Sequence, residues 1–420
     1  MTVNTATPSL RAVLPLSYEI LFAAFAFVLG SAIGSFLNVC IYRMPLGLSV
    51  NEPKRSFCPS CKYQIPWFRN LPLVSWLSLR GRCANCGSPI AVRYFGVELL
   101  TGLLFLAVWW RVWLQPRSEW DGQGWVLALP FWILVSLLIV ATFIDFEHFI
   151  IPDEITWGGV AAGVVLSFAI PTMMETSSNL ISAGWSLGGA AAGYLLLWGV
   201  VELGKKAFGK KQFKLAGPTA FTWTRKMVQT EQGEQSDADL VVGNVSWKEA
   251  AAEDANPPES AAPRGESWLW SETFWRDSDR LLVEATQVVV DGTEIPDGRF
   301  AFSLNQLESA GRTWQLEKVN VIRGIATSVV IPREAMGFGD VKFIAAIGAF
   351  LGWKAVLFTI MAGSTVGALV GLSTIALGKR EWSMKIPFGP YLALGALVWM
   401  FFGPELVGWY MAFVTPPAGV

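Results

Sequence analysis

Histidine is almost missing from this chain: His148 is the only one in 420 residues. That excludes a histidine-built metal centre and leaves a Ser/His/acid triad a single residue from which to draw its base; a Ser/Lys pair stays compatible with composition. Charge is scarce too. Only 15% of residues are charged and the formal net charge is −1, so no overall field of one sign selects a partner. A small-residue cleavage site is absent after the first apolar run, which is also longer than a signal-peptide core, so that run reads as a retained membrane helix.

What is abundant is apolar. Hydrophobic residues make up 53% of the chain and the mean hydropathy is +0.43, gathered into long runs that suit helices in lipid. Eight runs are expected to span: 16–39, 97–114, 126–144, 156–173, 181–201, 341–351, 355–377 and 387–413. The sixth, at about 1.5 Å per residue, is too short for about 30 Å of hydrocarbon unless Gly352 and Trp353 continue it.

Charge placement orients the runs. Between positions 43 and 93 stand Arg43, Lys54, Arg55, Lys62, Arg69, Arg80, Arg82 and Arg93 against Glu52 alone. Lys205, Lys206, Lys210, Lys211 and Lys214 follow the fifth run, and Lys379, Arg380 and Lys385 lie between the last two. With the amino terminus outside and eight crossings, all three basic segments face the cytoplasm, whereas the sparse loops near Trp120 and Glu175 face outward. No aromatic platforms interleave with the basic loops, so nucleic acid is not an expected partner. The fold class is therefore an all-α polytopic membrane protein of about eight transmembrane helices.

Five regions follow: 1–41 with the first helix, a cytoplasmic cysteine loop at 42–93, helices two to five at 94–203, a cytoplasmic insert at 204–335, and the last helices at 336–420. The insert is expected to be disordered over 229–266, where Ala, Glu, Asp, Pro and Ser dominate. Its later part, with strand-like stretches at 281–290, 299–304 and 319–331 separated by Asp291-Gly292 and Asp297-Gly298, suggests a small β unit. Small residues such as Gly188-Gly189-Ala190-Ala191-Ala192-Gly193 suit close helix packing.

Two C-x-x-C pairs, Cys58/Cys61 and Cys83/Cys86, stand in the basic loop. Two such turns can close a tetrahedral thiolate cage suited to Zn²⁺, and four protein ligands leave no open position for water, so the metal's role is structural. Iron or redox chemistry, disulfides and a metal-free loop are the alternatives, a cytoplasmic position disfavouring disulfides. Cys40, at the end of the first run, reads as a buried small side chain.

Asp145 ends the third run, in Phe143-Ile144-Asp145-Phe146-Glu147-His148, and Asp340 begins the sixth, in Gly337-Phe338-Gly339-Asp340-Val341-Lys342. The topology puts both at the cytoplasmic edge of the bilayer, where an ionisable group needs water or a partner. Two carboxylates brought together can hold one proton between them: one deprotonates water while the other hydrogen-bonds the carbonyl under attack. Gly337 and Gly339, lacking Cβ atoms, let backbone approach an extended substrate. The plainer alternatives are a helix cap for Asp340 and an interface marker for Asp145. Asp153, after Pro152, suits the first turn of the fourth helix or a substrate-facing position. A transporter, with the acidic residues as ion-path groups, and a non-catalytic scaffold are the readings from other classes.

These pieces together resemble the type IV prepilin leader peptidases: Gly34-Ser35-Phe36-Leu37-Asn38-Val39 followed by Arg43 and Pro45; the four cysteines; Arg93-Tyr94 with Glu98; Phe143-Ile144-Asp145 with Pro152-Asp153; Gly337-Phe338-Gly339-Asp340-Val341-Lys342; and Pro387-Phe388-Gly389-Pro390. The resemblance covers the chain outside 204–335. It implies that Asp145 and Asp340 are the catalytic pair of an inner-membrane endopeptidase that cuts after glycine in type IV prepilins or type II secretion pseudopilins. It also implies a pilus or secretion apparatus as partner and, with the cysteines retained, methylation of the new amino terminus by S-adenosyl-L-methionine. Under it Lys342 tunes the pair, while Gly34, Asn38, Arg43, Arg93, Glu98 and Asp153 are candidates for substrate, lipid or methyl-transfer contacts. The chain departs from the family in its long insert and in Phe146-Glu147-His148, where relatives commonly carry an aspartate before the histidine.

Overall fold

The computed structural model describes residues 16–53, 55–114, 124–208, 210–226, 242–249, 267–269, 280–303, 305–332, 337–377 and 387–414. These fall into two compact units, one formed by the flanking regions before Val200 and after Met336, the other by Val201–Ala335.

The first unit is helical. Its helices are α1 (Leu16–Arg43), the short α2 (Val74–Ser78), α3 (Val92–Trp109), α4 (Ala128–His148), α5 (Asp153–Ala169), α6 (Asn179–Phe208), α7 (Phe338–Ala376) and α8 (Gly389–Val414). Each long helix follows an apolar run, and the boundaries have local causes. Glu19 in the first turn and Arg43 in the last complement the dipole of α1. α4 stops where Phe149 turns left-handed (φ 55) and donates its N–H to the Asp145 carbonyl at 3.0 Å. Pro152 then caps α5, whose first turn carries Asp153 and Glu154.

Six helices among the described residues are long and apolar enough to cross a membrane. The eight expected crossings differ from this at two places. α5 has 17 residues, and the runs 341–351 and 355–377 lie in one 39-residue stretch, α7, in which two helices join across a kink. A straight helix of that length would measure about 58 Å at about 1.5 Å per residue, nearly twice the hydrocarbon thickness. Gly352 resolves the excess: at φ 76 and ψ 174 it interrupts α7 in a conformation that glycine adopts readily. The loops holding Trp120 and Lys379, Arg380 and Lys385, and Lys54 itself, lie outside the described residues.

α6 and α7 meet along small residues. A Cβ on Gly189 would sit 2.2 Å from the Gly348 carbonyl oxygen, and one on Gly193 2.7 Å from that of Ile344. Ser186 donates to the Ala349 carbonyl at 2.7 Å, so the seam combines backbone approach with a buried hydrogen bond.

The second unit is an antiparallel sheet. Its strands are β1 (Lys210–Lys226), β2 (Val242–Glu249), β3 (Ser267–Leu269), β4 (Leu281–Val290), β5 (Thr293–Ile295), β6 (Gly298–Phe302), β7 (Gln306–Ser309), β8 (Arg312–Gln315) and β9 (Val321–Pro332). They follow the order β3-β2-β1-β9-β4-β6-β7-β8, with β5 beside β4. Trp223, Val288, Phe300, Leu307 and Ile322 form the centre of its core, each fully buried. Asp291 and Gly292, both at positive φ, turn β4 into β5, and the Asp291 carboxylate accepts the backbone N–H groups of Asn320 and Val321. The β structure is larger than the sequence reading suggests. Lys210, Lys211 and Lys214 belong to β1, and residues 242–249, inside the stretch expected to be disordered, form β2; the rest of 229–266 lies outside the described residues.

Candidate active site and metal centre

The ends of four helices converge around Ile151. Asp145 projects from the last turn of α4, 5% exposed, and its Oδ2 accepts the backbone N–H of Gly389, the first residue of α8, at 2.9 Å. Gly389 packs so closely that a Cβ there would lie 2.8 Å from Asp145 Oδ2 and 3.1 Å from Ile151 Cδ1. Asp340 is the third residue of α7, 7% exposed, and a Cβ on its neighbour Gly339 would lie 3.2 Å from Ile151 Cβ. Both aspartates thus come to one place, Asp145 through Gly389 and Asp340 through Gly339, each of which packs on Ile151.

Asp340 caps no helix end: the N-cap of α7 is Gly337, without a side-chain cap bond. Its Oδ1 is buried without a hydrogen-bond partner in the protein. A buried, unpartnered carboxylate oxygen costs stability and calls for a partner from outside, such as water or substrate. Gly337 stands beside it, its would-be Cβ 3.5 Å from Asp340 Oδ2.

Around this pair, charged residues tie the helix ends together. Lys342 pairs with Asp153 at the start of α5, and its ammonium lies 5.3 Å from the Phe338 ring centroid. Arg93, near the start of α3, pairs with Glu147, two residues after Asp145. At the opposite end of the bundle Arg111 pairs with Glu405 and donates to the Phe401 carbonyl.

The four cysteines form a second centre. All four Sγ atoms lie within 4.8 Å of one another, with Cys58 to Cys86 at 3.9 Å and Cys61 to Cys83 at 4.0 Å. Edges of about 3.8 Å are what a thiolate tetrahedron with Zn–S bonds of about 2.3 Å requires. The two turns are built alike. Lys62 N–H bonds the Cys58 carbonyl at 2.8 Å and Gly87 N–H that of Cys83 at 2.9 Å, and the residue after each pair, Lys62 or Gly87, is left-handed. Bridges Phe57 to Gln64 and Arg82 to Pro89 close the two loops. The backbone N–H of Cys61 draws the Cys58 thiol down to about 6, and the Ser88 hydroxyl and N–H lower that of Cys86, so one thiolate on each turn is favoured before any cation arrives, whereas the Cys61 thiol is raised. The donors and their spacing fit a tetrahedral metal ion.

The remaining candidates gather where the cysteine loop meets α1 and α3. Gly34 allows close approach, since a Cβ would lie 2.8 Å from Glu98 Cα. Asn38 donates to the Tyr94 carbonyl at 3.0 Å while its Oδ1 stays buried without a partner. Arg43 binds the carbonyls of Ser49, Val50 and Pro53, each at 3.1 Å, so it shapes the loop. Glu98 accepts the Leu73 N–H at 2.7 Å. A cavity of about 380 Å³ lies among them, with Asn38, Glu98, Tyr94 and Trp76 in its walls beside Cys58 and Cys83. Sequence reasoning missed the Gly389 N–H and Ile151; the Pro387-Phe388-Gly389-Pro390 motif was the available signal for the first.

Fold and site together define a helical membrane protein with a buried carboxylate pair at one end of its bundle and four clustered cysteines in the loop between α1 and α3. The chain belongs to the type IV leader peptidase family: that family's profile matches residues 132–228 and 304–372, and the profile of the bacterial peptidase A24 N-terminal domain matches residues 28–112. Among similar proteins, the prepilin leader peptidase/N-methyltransferase of Aeromonas hydrophila is 27% identical over 419 residues, covering 93% of this chain and 94% of the relative. The protein of that name from Klebsiella pneumoniae is 36% identical over 209 residues, 47% of this chain and 83% of the relative. The one from Myxococcus xanthus is 44% identical over 199 residues, 47% of this chain and 53% of the relative. No solved structure matches the chain.

Proposed function

We propose that this protein cleaves the leader peptides of type IV prepilins or type II secretion pseudopilins after glycine, at the cytoplasmic face of the bacterial inner membrane, and then methylates the new amino terminus. The observation that carries the reading is the meeting of Asp145 and Asp340 around Ile151, with one Asp340 oxygen buried and unpartnered. In the reaction one carboxyl keeps the shared proton and donates it toward the scissile carbonyl oxygen. The other takes a proton from water as that water attacks the carbonyl carbon, then passes it to the amine nitrogen as the C–N bond breaks, so no acyl-enzyme forms. The Gly389 N–H holds Asp145 in place. Gly337 and Gly339 leave room for an extended backbone.

The substrate's geometry suits a membrane-edge site. A basic leader stays in the cytoplasm while the apolar helix behind it lies in lipid, which brings the bond between them to the bilayer surface. Eight crossings, with the break at Gly352 dividing α7 into two and α5 crossing as a short span, set the basic loops on that same side. The five regions 1–41, 42–93, 94–203, 204–335 and 336–420 then serve as anchor, zinc-stabilised loop, first half of the peptidase core, accessory insert and second half.

Zinc held by Cys58, Cys61, Cys83 and Cys86 supplies rigidity to the loop. For methylation, S-adenosyl-L-methionine supplies an electrophilic methyl group to the new amine. The cavity beside the cysteine turns supports such a donor's binding: the orphaned Asn38 Oδ1 can accept a hydrogen bond, Glu98 places a carboxyl group in the wall, and Trp76 and Tyr94 provide aromatic surface. Arg43 and Arg93 support this region through the loop carbonyls and Glu147, and Lys342 and Asp153 hold α7 to α5.

The test is purified protein in lipid with a pilin-like substrate and S-adenosyl-L-methionine carrying a labelled methyl group. Cleavage after glycine followed by label on the new amino terminus is expected. Intact substrate would refute the peptidase reading, and cleavage without label would refute methyl transfer.

A further inference from the structure

Between the two cysteine turns runs a segment whose large apolar side chains are uncovered. Trp67 is 78% exposed, Val74 61%, Leu77 58% and Phe68 54%, on the turn Trp67–Arg69 and on α2. Such a cluster on a water-facing loop would be costly, and clusters of this kind mark contact surfaces.

The depth of the segment says what it touches. Leu73, held at φ 61, donates its N–H to Glu98, which lies about 9 Å along α3 from Val92 at about 1.5 Å per residue. Asn70 and Pro72 share a cleft with Ala32, Ser35, Phe36 and Val39 of α1; Ser35 lies about 12 Å before Arg43 by the same rise. The Trp76 ring centroid lies 5.1 Å from that of Phe95 on α3, the planes tilted by 36°. The segment therefore does not stand off the ends of α1 and α3. It folds back beside them, level with residues already inside apolar spans, and its exposed side chains continue the lipid-facing surface that Phe36, 51% exposed, begins.

Charge complements this placement. Arg69, Arg80 and Arg82 are exposed around the apolar cluster, and the Arg69 guanidinium sits 5.8 Å from the Phe68 ring centroid. Apolar and aromatic side chains bordered by arginine form the pattern of an interfacial element on anionic lipid.

We propose that residues 66–79 are an in-plane membrane element, seated in the phospholipid leaflet on the side of Asp145 and Asp340. Trp67, Phe68, Val74 and Leu77 lie among acyl chains and glycerol groups, and Arg69, Arg80 and Arg82 meet anionic headgroups. The thiolate cage is thereby held at the membrane surface.

The test places the photoreactive residue p-benzoylphenylalanine singly at Trp67, Phe68 or Val74, and for comparison at Pro59 or Asn85, which are exposed on the cysteine turns. The full chain is reconstituted in vesicles of phosphatidylethanolamine and phosphatidylglycerol, irradiated, and its adducts identified by mass spectrometry. Phospholipid adducts at positions 67, 68 and 74 and none at 59 and 85 are expected. Adducts to a second protein chain, equal lipid labelling at all five positions, or no lipid adduct at 67 and 68 would overturn the proposal. The aromatic-for-aromatic exchanges at these two exposed positions leave the packing intact, and elution as a single species checks folding of each variant.

Discussion

Replacing Gly389 by alanine probes the catalytic geometry through a residue that carries no functional group. The added methyl would lie 2.8 Å from Asp145 Oδ2, 3.3 Å from its Cγ and 3.1 Å from Ile151 Cδ1, all inside ordinary contact, so the carboxylate must move away from the Gly389 N–H that it accepts at 2.9 Å. A hydrogen bond to a charged group contributes about 1.5–3 kcal/mol, and each 1.36 kcal/mol of transition-state stabilisation is about tenfold in rate. Loss of that bond therefore predicts a fall in kcat of about ten- to 150-fold with little change in KM. Gly389 begins α8 without a left-handed backbone angle, so folding is not the casualty. The control is Gly199→Ala, where a Cβ meets nothing within 4 Å; it should leave turnover unchanged. The assay is initial-rate cleavage of a pilin-like substrate in proteoliposomes, and wild-type kcat in Gly389→Ala would refute the reasoning.

At the α6–α7 seam, Gly189→Val should lower stability by about 3 kcal/mol, because backbone faces the new side chain at 2.2 Å and this lies at the upper end of the typical overpacking cost of about 1–3 kcal/mol; Gly188→Ala, with open space, should be neutral in the same thermal unfolding measurement. Cys83→Ser should lower the metal content of reduced protein, read by metal analysis, while peptide cleavage persists, since the hydrolysis proposed for Asp145 and Asp340 uses no cysteine. Acidification should release metal in the same direction, because thiolates bind as anions and protons compete for them. Arg93 and Glu147, 22% and 40% exposed as side chains, should show a coupling of no more than about 1 kcal/mol in a double-mutant cycle of unfolding.

The parts of the fold legible in the sequence are those fixed by local composition. Apolar runs give α1, α3, α4, α6 and α8 because a helix in lipid satisfies its own backbone. The C-x-x-C spacing announces a cage because each turn is local. What escapes is non-local. β1 begins in a lysine-rich stretch and β2 in a polar one, and they are strands through pairing, β1 with β2 and β9 and β2 with β1 and β3, which no local pattern encodes. Runs 341–351 and 355–377 read as separate, and they are parted at Gly352, though the kink that joins them shows only in the backbone. At the site, Asp145 and Asp340 stand out as carboxylates at helix ends. The partner of Asp145 is a main-chain N–H of Gly389, and although the motif at 387–390 marks the spot, its residue types do not say which carboxylate the N–H meets. Lys342 pairs with Asp153, an arrangement visible only once α5 and α7 are packed.

The central claim is that two acidic side chains, contributed by α4 and α7, activate one water for peptide hydrolysis. Its most direct measurement is single-turnover cleavage by Asp145→Asn and by Asp340→Asn, each verified as folded by its unfolding transition. General acid–base groups contribute about 10²–10⁴-fold each, so a loss of at least that size is predicted in both variants. Unimpaired cleavage by either one would contradict the account.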